Sequence, residues 1–210
     1  MQYTGSIDNR GILEIIRRSC SYVDARLMNH GYRVAYIVSE MLKPYFHEDA
    51  RKIRDVCFLA LLHDIGAYKT DEISKMLQFD TDDVLAHSVY GYLFIKYFSP
   101  LKKLSGAILL HHATWQVLEH SEVFPEGIRL LAQVIHVADR IDVAMEVQHL
   151  TWEETAVLLK KESGTKFSPF IADLALACDF HTPFEGDTDA ESLFFQLFSE
   201  ISLTQDEITD

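Results

Sequence analysis

The chain has 210 residues, nearly half of them hydrophobic, and a formal net charge of −13. That length and apolar content suit one well-buried domain and argue against disorder. Eight acids and no lysine or arginine fall in residues 181–210, and no basic face for duplex nucleic acid is expected.

In chain order, residues 10–27 and 29–43 show apolar positions at three-to-four spacing, and Pro44 stops the second of these helices. A third helix runs from about 48 to 63 and leads into Gly66. Residues 71–79 predict a short helix. Thr81-Asp82-Asp83 offers an N-terminal cap to a helix that passes through His87 to about 98. Ser99-Pro100 places proline in the first turn of the next helix, ending near His112. Residues 113–126 read as a loop and 127–147 as a long helix. Thr151-Trp152-Glu153-Glu154 fits a capping box, and Ser168-Pro169 starts another helix. Nine glycines and five prolines are few for a sandwich with many tight turns, and no hairpin signal or sustained period-two alternation is present. The expected fold is all-α, a compact multi-helix bundle. Residues 1–180 form its domain, and 181–210 an acidic helix or tail packed on it, with a dimer or partner-protein contact as the alternative use of that tail.

No apolar stretch is long enough to span a bilayer. The first residues lack the charged-then-apolar order of a signal peptide. Cys20, Cys57 and Cys178 are odd in number and widely spaced, which points to reduced thiols in a cytoplasmic protein.

Two adjacent pairs carry the chemistry. His63-Asp64 comes straight off the apolar run from Val56 to Leu62, and His111-His112 follows Ala107-Ile108-Leu109-Leu110. Burying imidazole and carboxylate is unfavourable by several kcal/mol unless something pairs with them, and a divalent cation satisfies both. His30, His87 and Asp139 lie on other helices among apolar residues, as ligands do when a metal site is built inside a bundle. His136, one turn before Asp139, either joins this set or packs in the core. His47, His120, His149 and His181 lie in polar or terminal surroundings and are set aside. A carboxylate such as Asp64 can bridge two cations, whereas a neutral imidazole ligates one. The set without thiolate suits iron or manganese, admits zinc, and does not suit calcium.

The order His30, His63-Asp64, His87, His111-His112, Asp139 resembles the HD superfamily of metal-dependent phosphohydrolases, and most closely its HD-GYP branch. The local texts are His30-Gly-Tyr-Arg33-Val34, Leu-Leu-His63-Asp64-Ile65-Gly66, His87-Ser-Val-Tyr-Gly91 and His111-His112-Ala-Thr-Trp115. Val-Ala-Asp139-Arg-Ile-Asp142 and Gly164-Thr-Lys-Phe167-Ser-Pro169 follow. The chain departs from that branch at Ala67, where members have lysine, and at Ala113, where they have an acid. It also lacks the glycine-rich Gly-Tyr-Pro segment, for residues 113–126 contain no glycine, and the Arg-Pro-Tyr stretch after the late Asp. Arg26 stands where three-metal relatives have a carboxylate, which favours two metals.

The resemblance implies a phosphodiesterase with two iron or manganese ions. Asp64 would bridge them, the five histidines complete the two coordination spheres, and Asp139 closes one. Its substrate would be a cyclic dinucleotide such as cyclic di-GMP, or a related nucleotide phosphoester. The alternatives are a nucleotide phosphomonoesterase of the broader class and a catalytically weak signalling or binding module. Arg33, one turn after His30, is placed either to contact a substrate phosphate or to form a salt bridge with an acidic neighbour.

Overall fold

The computed structural model describes residues 25–44, 50–67 and 84–180. Of the helix expected over 10–27 only 25–27 lie within them, and these run without a break into the helix expected over 29–43; the helix expected over 71–79, the cap at 81–83 and the acidic segment 181–210 lie outside, as do Cys20, His47 and His181. The described part is all-α. Its helices are α1 (Ala25–Leu42), α2 (Ala50–Leu61), α3 (Val84–Phe98), α4 (Ser105–Leu110), α5 (Trp115–Leu118), α6 (Glu126–Asp142), α7 (Trp152–Glu162) and α8 (Pro169–Leu176). Among the described residues the only β pairing is an isolated bridge between Ser163 and Phe167, and no helix is long and apolar enough to cross a membrane.

Amphipathic spacing explains how the helices pack. Along α1 from His30, only Arg33, Tyr36 and Glu40 are not fully buried, and these three share one outward stripe at helical spacing. The rest of that turn-by-turn surface, including Val34, Ile37, Val38 and Met41, enters the core. Helix α1 packs on α2 and on α6, and α4 bridges α3 and α6. From Ala132 onward α6 is buried at every position except Arg140. It is the central helix, with Ile135, Val137, Ala138 and Ile141 in the core beside Leu59, Ile95, Ile108 and Ile171.

Two close approaches set the positions of the site helices. A Cβ at Gly31 would come within 2.5 Å of the Leu61 carbonyl oxygen, so glycine lets α1 lie on the last turn of α2. A Cβ at Gly66 would overlap the His87 carbonyl oxygen and reach 2.6 Å from the Gly91 nitrogen, so the turn after α2 rests directly on the α3 backbone.

Several boundaries differ from the sequence expectation. The helix expected from Pro100 to His112 begins instead as a turn of 3-10 helix at Lys102–Leu104. There the Ser99 hydroxyl accepts from the Leu101 N–H at 3.0 Å and Ser105 donates to the Lys102 carbonyl at 2.8 Å. Short polar side chains have taken over backbone bonding that an α-helix would need. The expected loop 113–126 contains α5, because Trp115 N–H and Gln116 N–H donate to the Lys166 and Thr165 carbonyls. The long helix expected over 127–147 turns into a π-helix at Val143–Val147, closed by Gln148 N–H donating to Val143, and π segments of this kind recur at functional sites. The capping box forms as expected, with Thr151 and Glu154 exchanging bonds of 3.2 and 2.9 Å, and Pro169 opens α8. Cys57 is buried and Cys178 half-buried, both as free thiols.

Candidate metal centre

All seven residues His30, His63, Asp64, His87, His111, His112 and Asp139 converge on one buried site. His30 comes from α1, His63 and Asp64 from the turn after α2, and His87 from α3. His111 and His112 follow α4, and Asp139 lies in the last turn of α6. Six of them are buried, and His112 is half-buried.

Asp64 is the hub. Its Oδ2 lies 3.2 Å from His63 Nε2 and 3.7 Å from His30 Nε2, and its Oδ1 lies 3.5 Å from both His87 Nε2 and His111 Nε2. Two sets of ligand atoms lie within 4.8 Å of one another: His30, His63 and Asp64 in one, and Asp64, His87, His111 and His112 in the other. Asp64 belongs to both. Asp139 is in neither set, but its Oδ1 sits 3.3 Å from His30 Nε2, beside the first, and its Oδ2 accepts from Arg140 Nη2 at 2.6 Å.

Hydrogen bonding shows which atoms are kept for a cation. His63 Nδ1 lies 2.7 Å from the Ala60 carbonyl and His111 Nδ1 2.6 Å from the Ile108 carbonyl. A carbonyl only accepts, so each Nδ1 carries a proton, and each Nε2 is turned toward Asp64. His63 Nε2, His111 Nε2 and Asp64 Oδ1 are buried without a hydrogen-bond partner. Polar atoms gathered in a dry interior without partners are left unsolvated. Divalent cations remove that penalty, and ligand atoms about 3–4 Å apart match metal–ligand bonds of about 2 Å.

Charge points the same way. Burial by itself would lower the basicity of His30, but hydrogen bonds to Asp139 and Asp142 raise it to about 10. In the absence of a metal, the imidazole proton stands in for a cation among carboxylates. Burial would raise the Asp64 carboxyl, yet His63 and His111 hold it well below the usual carboxylate range. Burial would do the same to Asp139, and Arg140 with His30 holds it low. Burial pushes His87 down to about 4 and His112 well below its ordinary value, so both are neutral, as metal ligation requires. Their Nε2 atoms meet at 2.9 Å.

Three further residues shape the site. Asp142, quoted above only as part of a motif, lies 2.6 Å from His30 Nδ1 and accepts from Arg33 Nε and Nη2 at 2.5 and 3.0 Å. The spacing of three residues from Asp139 is its one mark in the sequence, and alone it reads as a solvated position. Arg33 therefore forms the salt bridge that was one of its two expected uses. Gln133 donates to the Ala113 carbonyl next to His112 and accepts from Ser168 N–H, both at 2.8 Å, which ties the histidine pair to the start of α8. His136 is buried beside His112 and Phe167, at ring-centroid distances of 6.2 and 5.3 Å. Burial, then Arg140, lowers it to about 3. It is in neither ligand set, and its Nδ1 has no hydrogen-bond partner.

The HD domain family model matches residues 27–144, more than half of the chain, and the span contains all seven residues. No curated protein matches the sequence.

Proposed function

The chain belongs to the HD domain family, and from that premise we propose that it is a metal-dependent phosphohydrolase that cleaves a nucleotide phosphodiester at a dinuclear centre, with a cyclic dinucleotide of the cyclic di-GMP kind as the leading substrate. The observation that carries this reading is Asp64, whose two oxygens serve two ligand sets at once. Divalent ions, iron or manganese from the donor chemistry, would supply Lewis acidity and an activated water to the phosphorus centre.

The chain's own part is to hold and orient. His30 and His63, with Asp139 beside them, would hold one cation and His87, His111 and His112 the other, with Asp64 in both sets. The carbonyls of Ala60 and Ile108 fix His63 and His111 in the tautomer that leaves Nε2 bare. Arg140 keeps Asp139 ionised and turned toward His30. A phosphate contact from Arg33 is left to the N–H groups that Asp142 does not take.

A second reading, hydrolysis of a nucleotide phosphomonoester, is favoured by one observation. The segment after His112, where the HD-GYP branch carries its glycine-rich stretch, is the helix α5 pinned to residues 165 and 166. A panel of cyclic dinucleotides, linear dinucleotides and nucleoside monophosphates, run with iron and with manganese, separates the two. Turnover of a diester that is lost in Asp64→Ala supports the first. Turnover of monophosphates alone supports the second, and metal-loaded protein with no turnover fails both.

A further inference from the structure

The two ligand sets differ in what stands behind them. On the first, His30 gives its Nδ1–H to Asp142 at 2.6 Å, and Asp142 is itself gripped through both oxygens by Arg33. Asp142 is wholly buried, and Arg33 is largely so, at 19 % side-chain exposure. His63 is fixed by the Ala60 carbonyl, and Asp139 by Arg140. On the second, His111 has the Ile108 carbonyl, but His87 and His112 meet one another through the same Nε2 atoms that would face a metal. Their rings must part to ligate, and His112 is the only ligand that is not fully buried.

We propose that Asp142, clamped by Arg33, is a positioning residue for His30, and that it makes the His30–His63–Asp64 position the tighter of two unequal metal sites. The physical basis is preorganisation. A carboxylate accepting from Nδ1 fixes the ring's tautomer and angle and makes Nε2 a stronger donor. The Arg33 fork fixes the carboxylate in turn. The first position is also richer in carboxylates, with Asp64 and Asp139 at the metal and Asp142 behind, whereas the second has Asp64 alone beside three imidazoles. A first cation therefore enters the His30 side, and the second occupies the more open His87–His112 side and exchanges faster.

This inference rests on the proposed metal centre but on no particular reaction. Manganese titrated into the metal-free full chain, followed by calorimetry, should show two classes of site. His63→Ala should remove the tighter class and His87→Ala the weaker, which assigns them. Asp142→Asn should weaken the tighter class by about 10–100-fold while the other moves by less than about threefold, and Asp142→Glu should recover part of the loss. Arg33→Gln, which leaves the Asp142–His30 bond in place, should shift the same class by a smaller factor. Thermal unfolding of the metal-free variants checks that they fold. If Asp142→Asn does not fold, Arg33→Gln carries the test. The proposal is overturned by equal weakening of both classes, by weakening of the His87 class alone, or by no change in a folded variant. A chain that binds two manganese ions and hydrolyses nothing fails the phosphohydrolase reading and leaves this one standing.

Discussion

His63 and His111 on one side, and His30 and His87 on the other, reach the same site by different means. The first two stand just past helix ends, and each gives its Nδ1–H to a carbonyl three residues back. Their orientation is written into their own turn of chain. His30 and His87 lie within helices, and what fixes their rings is remote. His30 depends on Asp142, 112 positions later, and His87 meets His112 and Asp64. A metal site in a helical bundle thus needs two kinds of support. Local bonding sets the tautomer at helix ends, and tertiary packing sets it inside helices.

The comparison breaks most completely at Asp64, which serves both kinds of histidine. On the proposed dinuclear reading, Asp64→Asn should abolish metal uptake by elemental analysis and lower phosphoester turnover by more than the ~100-fold typical of changes behind a ligand. The next largest effect belongs to His30, one of the two histidines held from afar, and is read by pH. His30 is raised in the folded, metal-free chain from 6.5 to about 10. Its stabilising contribution is therefore fully present below pH 6.5 and is lost as pH rises through about 10. Denaturant unfolding of metal-free protein should show that decline, and manganese loading should abolish it because the metal displaces the proton. Loading near neutral pH should correspondingly release a proton from His30, seen by calorimetry in buffers of different ionisation heat.

Gly66→Ala tests the packing that delivers His87. The new Cβ meets backbone rather than a side chain that can swing away, so destabilisation should reach or exceed the about 1–3 kcal/mol usual for overpacking, read as a fall in Tm. Gly91→Ala approaches only an Ile108 methyl within 3 Å, at 2.9 Å, and should be milder. The smallest effect concerns the support of the His111–His112 pair. Gln133→Leu leaves the Ala113 carbonyl and the Ser168 N–H unpaired, at about 1–3 kcal/mol for such losses. It should weaken metal uptake through the His87 set while sparing the His30 set, which would sharpen the division.

The same division explains what could be read in the sequence. An all-α fold, the stop at Pro44, the capping box at Thr151 and the start at Pro169 rest on short-range rules, and the described helices follow them. The adjacent pairs His63-Asp64 and His111-His112 stand out because an apolar run ending in two ligating side chains is locally anomalous. Asp142 does not stand out, since one acid in a helix looks like a solvated position until α1 is packed against it. Gln133 is equally silent, because its two partners lie 20 positions before and 35 after. The π-helix after Asp142 and the 3-10 turn before Ser105 depend on bonding choices that spacing of apolar residues does not encode.

The contact at Gly66 acts as a ruler. Because main chain touches main chain there, the separation between the His63–Asp64 turn and α3 has no side chain in it to lengthen or trim. Repacking the surrounding core can change how firmly the frame is held but not its gauge. Any retuning of this centre toward a larger or smaller ion must therefore come from exchanging the ligands themselves.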